Sequence, residues 1–317
     1  MKIPKVGNIL IPTIEKKVER KLKELNLKPE IEISDFLKIH KNKKHRYFTP
    51  CLTKEGKKIA FYSRVHFNLD AKNKIIREIE FLKKLKKSKL KIKKIVPEIL
   101  NYGIEKDFEW FEREYPPGTP LGESRKLKQK LKIKIIPEII KIILEISKIP
   151  PSFFPKIKKF NPKNYLAERV YEELVNKKIL EKNLANSIQE FIEKNISLLE
   201  KENKYFCHGD LNLGNIISDG KRIWLIDWEL IQINNFAYDI GYLWSHLWQA
   251  KKSFRQKLIL DFLKKLPSKK IKKFKILFPI VTSYLALGGI RGGTKKRREF
   301  YSKVFKNCLD FKKLIDL

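Results

Sequence analysis

The sequence predicts an α+β fold in two lobes, a small antiparallel-sheet lobe followed by a mainly helical one. Three observations carry that expectation. Between residues 30 and 67 the apolar pattern is short, β-branched and aromatic, whereas beyond residue 120 its period lengthens to that of helices. Between the two, Pro116-Pro117-Gly118-Thr119-Pro120 interrupts any regular element and marks a crossing. No Gly/Ser-rich or Pro-rich linker divides the 317 residues, so two lobes sharing an interface, 1–115 and 116–317, fit better than independent domains.

Each element follows from local pattern. Ile14, Val18, Leu22 and Leu25 recur at helical spacing behind Thr13, a residue suited to an N-cap, which predicts an amphipathic helix over 13–25. From 30 to 67 the chain reads as antiparallel sheet, with strands at 46–49 and 58–65 around the turn 54–57. Asp70 caps a helix to about Leu85, whose Ile75, Ile79, Leu82 and Leu85 form one stripe. Strands near 99–102 and 108–115 complete the first lobe. The second has helices expected over 139–146, 165–180, 185–200, 236–248, 254–266, 276–287 and 298–314. Its exception is 206–228, where short apolar runs between Asp, Asn and Gly indicate tight loops and short strands.

Composition excludes several classes. With 42% hydrophobic and 11% aromatic residues the chain can bury a sizeable core and is not disordered. Cys51, Cys207 and Cys308 are odd in number and form no C-x-x-C pair, which argues against a disulfide framework or a thiolate zinc site and for a cytoplasmic location. The N-terminal apolar stretch 9–11 is broken by Pro12 and is not a signal peptide, and the stretch 276–290 is too short and too polar to span a membrane. The formal net charge is +35, from 71 Lys plus Arg against 36 Asp plus Glu. Eight lysines crowd 83–94, six basic residues fall in 125–134, and Lys295-Lys296-Arg297-Arg298 adds four. Codon drift and a solvated surface explain part of this; a polyanionic partner, nucleic acid or an anionic membrane surface, is the other reading.

The residues that carry chemistry are concentrated in 208–229. Phosphoryl transfer requires a carboxylate to orient the attacking hydroxyl, oxygen ligands for Mg²⁺ and a cation on the phosphates. His208-Gly209-Asp210 with Asn215 five residues beyond the Asp, and Asp227 after a second short strand over 222–226, can supply the first two. Taken separately, Asp and Asn at such positions are ordinary turn caps. Their joint spacing resembles the aminoglycoside phosphotransferase and choline kinase family, in which H-G-D-x-x-x-x-N precedes a strand ending in I-D-W/F-E; here that strand ends in Ile226-Asp227-Trp228-Glu229. The resemblance extends loosely over 58–287. It implies a protein-kinase-like fold, ATP and Mg²⁺ as cofactors, Asp210 as catalytic residue, and Asn215 and Asp227 as metal ligands. His208 would brace the loop. Asp239 resembles the family's acidic residue that hydrogen-bonds that loop's backbone, and also reads as an ordinary Asp at a helix start.

The first lobe matches less closely. Glu78 suits the helix Glu that the family pairs with a strand Lys on the phosphates, but Tyr62 stands where that Lys is expected. Arg64, two residues on and on the same strand face, could reach the phosphates instead, as a fork and not a point charge. Backbone groups near Glu114 and Tyr115 resemble the hinge that meets the adenine edge. The segment 287–295 superficially suggests a phosphate loop, but its Thr294-Lys295 reverses the required order, so it reads as a loop with basic side chains. The resemblance thus implies an ATP- and Mg²⁺-dependent kinase acting on a small-molecule hydroxyl. The alternative is a weak or inactive kinase-fold protein that binds nucleic acid or an anionic surface through its basic clusters.

Overall fold

Buried and more exposed residues alternate along Arg46–Leu52 and from Lys58 to Tyr62, beyond which Ser63, Arg64 and Val65 are buried together, and these strands build the sheet of the N-terminal part. The computed structural model describes residues 11–39, 46–65, 74–105, 107–122, 133–155, 157–161, 175–176, 180–292 and 294–317. The chain divides into two units: Met1–Gly118 with Asp219–Glu229, and Thr119–Ser218 with Leu230–Leu317.

In the first unit, β1 (Lys28–Pro29), β2 (Arg46–Leu52), β3 (Lys58–Val65), β4 (Ile99–Ile104) and β5 (Phe108–Glu114) form one sheet in the order β1-β2-β3-β5-β4, its neighbours antiparallel. One face, with Tyr47, Cys51, Ile59, Phe61, Val65, Phe108 and Trp110, shares a core with α1 (Ile11–Glu24) and α2 (Ile33–Ile39). Ile14 and Val18 of α1 are fully buried there, each contributing roughly 1.5–3 kcal/mol. The other face packs Phe111, Tyr62 and Ile99 against Ile75 and Ile79 of α3 (Lys74–Lys87). Asp70, expected to cap this helix, lies outside the described residues. The helix α2 corrects the reading of 30–67 as sheet throughout: Ile33, Phe36 and Leu37 lie at i, i+3 and i+4 and are buried together.

In the second unit, α4 (Ile136–Ile146) buries Ile136, Ile139, Ile140 and Ile143, and Pro137 at its start lacks only an N–H that the first turn would leave unbonded. Strands β7 (Lys158–Lys159), β11 (Gln232–Asn234) and β8 (Tyr205–Cys207) form a small sheet in the order β7-β11-β8. The helix expected over 165–180 falls almost wholly outside the described residues. That expected over 185–200 is two helices, α5 (Lys182–Lys194) and α6 (Ile196–Glu202), because Asn195 leaves helical geometry and turns its amide onto the Phe191 carbonyl at 2.8 Å. Beyond them lie α7 (Tyr238–His246), α8 (Lys252–Lys264) and the 25-residue α9 (Ser268–Gly292). The reading of 287–295 as loop is corrected: a helix already nucleated by buried Leu277, Phe278, Ile280 and Val281 propagates across glycines costing about 1 kcal/mol each. Thr294 then caps α10 (Lys295–Asn307). The helix expected over 298–314 is likewise broken, because Asp310 caps a separate α11 (Phe311–Ile315), accepting from the Lys312 and Lys313 N–H groups at 2.9 and 3.1 Å. Cys51, Cys207 and Cys308 are buried and unpaired. Among the described residues no helix is long and apolar enough to cross a membrane.

Candidate active site

Residues 208–215 lie in the second unit, between β8 and a 3-10 turn at Leu213–Asn215 that leads into β9 (Ile216–Ser218). Two anchors fix the loop. Asp239, in the first turn of α7 and 4% exposed, accepts from the His208 N–H at 2.9 Å and the Gly209 N–H at 3.2 Å. Burial pushes the Asp239 carboxyl up to about 7; the two N–H donors oppose that shift and nearby Asp210 adds to it. Gly209 is the second anchor. Its φ is +86°, and a Cβ there would stand 1.8 Å from the Leu230 carbonyl oxygen, so the tight approach of loop to backbone excludes any side chain.

The anchors present Asp210. Its backbone N–H donates to Nδ1 of the fully buried His208 at 3.3 Å. Its Oδ1 accepts from the Tyr242 hydroxyl at 2.5 Å and from Asn212 Nδ2 at 3.0 Å, while Oδ2 accepts from Asn215 Nδ2 at 3.2 Å. Asn215 Nδ2 also donates to the Asp210 carbonyl at 2.8 Å. With its nitrogen fixed on Asp210, the Asn215 amide offers its oxygen elsewhere. Tyr242 is in turn stacked on His246, ring centroids 4.4 Å apart, and burial holds the His246 pKa below its usual value.

Asp227 and Glu229 belong to the first unit, after β10 (Ile223–Leu225). Asp227 has φ +66°, a left-handed conformation in which a non-glycine residue is uncommon and Asp is among the better tolerated. The next residue secures it. Trp228 is fully buried, donates its backbone N–H to Glu78 Oε1 at 3.1 Å and its indole N–H to the Leu225 carbonyl at 3.1 Å, and packs on Phe81. Glu78 therefore acts on the loop through Trp228. Burial pushes its carboxyl up to about 7, against the opposing charge of Arg113.

Glu229 bridges two arginines. Its Oε2 is 2.8 Å from Nη2 of Arg64 and its Oε1 3.2 Å from Nη2 of Arg46. Arg46 and Arg64 face one another across β2 and β3. Tyr62, in place of a Lys, stacks on Phe111 with centroids 5.2 Å apart. The Glu114 N–H donates to the Glu98 carbonyl at 2.9 Å, and Lys58 Nζ lies 4.4 Å over the Tyr115 ring. Tyr242, Asn212, Arg46 and Glu229 are site residues that sequence reasoning did not assign. Glu229 closes the quoted Ile226–Glu229 motif, and Tyr242 follows Asp239 by one helical turn, which were the available signals.

Asn215 in the second unit carries an amide oxygen and Asp227 in the first a carboxylate, each an oxygen donor of the hard kind that Mg²⁺ takes. An antiparallel-sheet N-terminal part and a helical C-terminal part, with this pair of loops, define a two-lobed protein-kinase-like fold. Residues 52–263 match the model of the phosphotransferase enzyme family, and the chain belongs to that family. No curated protein matches the sequence. Among solved structures the chain is similar to the amicoumacin kinase hAmiN in complex with AMP-PNP, Ca²⁺ and Ami, at 12% identity, TM-score 0.58 and 93% coverage of each chain. It is also similar to a thermostable mutant of aminoglycoside phosphotransferase APH(4)-Ia, carrying an Asp-to-Ala substitution, in a ternary complex with ADP and hygromycin B, at 12% identity, TM-score 0.57, and 94% and 98% coverage. A choline kinase from Cryptosporidium parvum Iowa II matches at 16% identity and TM-score 0.55, over 96% of this chain and 95% of its own.

Proposed function

We propose that the chain transfers the γ-phosphoryl group of ATP, with Mg²⁺, to a hydroxyl of a small molecule. The observation that carries this reading is the carboxylate of Asp210, held by three neutral donors on a loop whose backbone is clamped by Asp239. A carboxylate fixed in this way is suited to receive or align the acceptor hydroxyl's proton, so that the oxygen meets phosphorus in line. Asn215 and Asp227 would hold Mg²⁺, which when bound neutralises charge on the phosphate oxygens. The backbone near Glu114 and Tyr115 would meet the adenine edge; the Glu114 N–H already serves Glu98, which leaves Tyr115 as the better-placed donor. Similar structures are complexes with AMP-PNP, Ca²⁺ and Ami or with ADP and hygromycin B, which favours a nucleotide and a small-molecule alcohol here.

The test is a coupled assay over a panel of small alcohols with ATP and Mg²⁺, comparing wild type with Asp210→Ala. Transfer by the wild type and its loss by at least about a thousandfold in the variant, with nucleotide binding retained, are the expected results. Equal turnover by the two proteins would overturn the assignment.

A further inference from the structure

Every residue of α7 is buried except Tyr242 and His246, which stand one turn apart on one face with ring centroids 4.4 Å apart. Tyr242 donates its hydroxyl to Asp210 Oδ1, so this partly exposed strip begins at the carboxylate proposed to align the acceptor hydroxyl. Its other end lies against α10. Tyr301 of that helix is 1% exposed and donates its hydroxyl to the Ser245 carbonyl at 3.1 Å, while Phe300 packs on Trp244 with centroids 5.7 Å apart. These contacts fix α10 on α7 beside His246. Arg297, one turn before Tyr301, lies 5.4 Å over its ring and donates from Nη2 to its hydroxyl at 3.4 Å. Burial lowers the His246 pKa, Arg297 lowers it further and Asp210 opposes them, so both charges lie within electrostatic reach of that imidazole. All of these residues belong to the second unit.

Arg297 is poorly satisfied where it stands. Among the described residues it has no carboxylate partner, and its Nε is buried without a hydrogen-bond partner. Its one side-chain hydrogen bond leaves both donors of Nη1 and one of Nη2 uncommitted. It also occupies the first turn of a helix, where the dipole disfavours a cation and no acidic residue compensates. A guanidinium held over a buried Tyr, short of acceptors and half-buried, suits an anion brought by a ligand. The one carboxylate of the strip, Asp210, already accepts from three donors, and a cationic alcohol would meet Arg297 as a like charge.

We propose that Arg297 binds an anionic group of the acceptor, so that the alcohol phosphorylated beside Asp210 is one that carries a carboxylate or a phosphate. The inference rests on the phosphotransferase reading and names the substrate class of that same site. Tyr242 and His246 form the aromatic wall between the reacting hydroxyl and the anion. Arg297 takes no part in the bond changes. In the proposed transfer the acceptor oxygen attacks the γ-phosphorus, ADP departs with the bridging oxygen, and the hydroxyl proton moves toward Asp210.

The experiment ranks acceptors of the full chain by kcat/KM with ATP and Mg²⁺, extending the alcohol panel into charge-matched sets such as glycerate, glycerol phosphate, glycerol and serinol. Anionic alcohols should exceed their neutral and cationic counterparts at least about tenfold, and which anion leads separates carboxylate from phosphate. Arg297→Gln should raise KM for the best anionic acceptor at least about tenfold, with kcat within about threefold and KM for ATP unchanged. Arg297→Lys should recover part of that loss. Arg298→Gln removes the same charge from the exposed neighbour and should leave KM within about twofold, which separates a local site from the chain's overall charge. The wild-type ranking tests the substrate class even where a variant does not fold. A neutral or cationic alcohol as best acceptor, an unchanged KM in folded Arg297→Gln, or an equal loss in Arg298→Gln overturns this inference and leaves the phosphotransferase reading standing. Absence of transfer to every alcohol of the panel overturns both.

Discussion

Placing a methyl group on Gly209 tests whether the loop that carries Asp210 is set by backbone geometry. At φ +86° an alanine costs about 1–2 kcal/mol from conformation alone. Its Cβ would also be built 1.8 Å from the Leu230 carbonyl oxygen, and reaching even 3.0 Å requires the two backbones to separate by 1.2 Å, the difference of the two distances. Overpacking of that kind adds about 1–3 kcal/mol, so Gly209→Ala should lose about 2–5 kcal/mol in all, a large share of a typical domain's stability. Gly220 is the internal control, with φ +89° and no atom within 4 Å of the added Cβ. Gly220→Ala should show only the conformational part. Urea unfolding followed by circular dichroism of the three proteins separates the two contributions. If Gly209→Ala falls within about 0.5 kcal/mol of Gly220→Ala, the close approach is not what shapes the loop.

Three further outcomes are expected. Tyr242→Phe removes one of the two donors to Asp210 Oδ1, and kcat should fall about three- to tenfold with KM for ATP unchanged; a change confined to KM would contradict a positioning role. Asp227→Asn keeps a residue that tolerates the left-handed conformation but loses a charged oxygen, so the Mg²⁺ concentration for half-maximal transfer should rise at least about tenfold, and an unchanged Mg²⁺ titration would remove Asp227 from the metal site. Between pH 4.5 and about 7, folded Glu78 keeps a proton that the unfolded chain has released. Stability should therefore decline by roughly 3 kcal/mol as pH rises across that window and level off above it; Glu78→Gln should abolish this part of the slope in urea titrations, and an identical slope in the variant would refute it.

The sequence revealed what is local. The strands over 46–65 and 99–114 show in short runs of β-branched and aromatic residues, and His208, Asp210 and Asn215 share one loop because their spacing is short. Helix breaks were harder to see, because Asn195 and Asp310 interrupt hydrogen bonding without disturbing the apolar period on either side. The helix over Ile33–Ile39 was hidden by its length, since seven residues give a single repeat of the pattern. In the candidate site, the partners of the motif residues come from far along the chain: Tyr242 lies 32 residues beyond Asp210, and Arg46 lies 183 before Glu229. No spacing rule relates such pairs; only the register of β2 against β3 and the position of α7 bring them within reach.

The left-handed backbone at Asp227 has an evolutionary consequence. At φ +66° glycine is the residue of lowest energy, and every other choice retains some strain in the folded state. A lineage that no longer needed a carboxylate there would gain stability from a mutation to glycine, and drift would favour it. Sampling homologues at this one position would therefore separate descendants still under selection for the carboxylate from those that have abandoned it, independently of any knowledge of what they act upon.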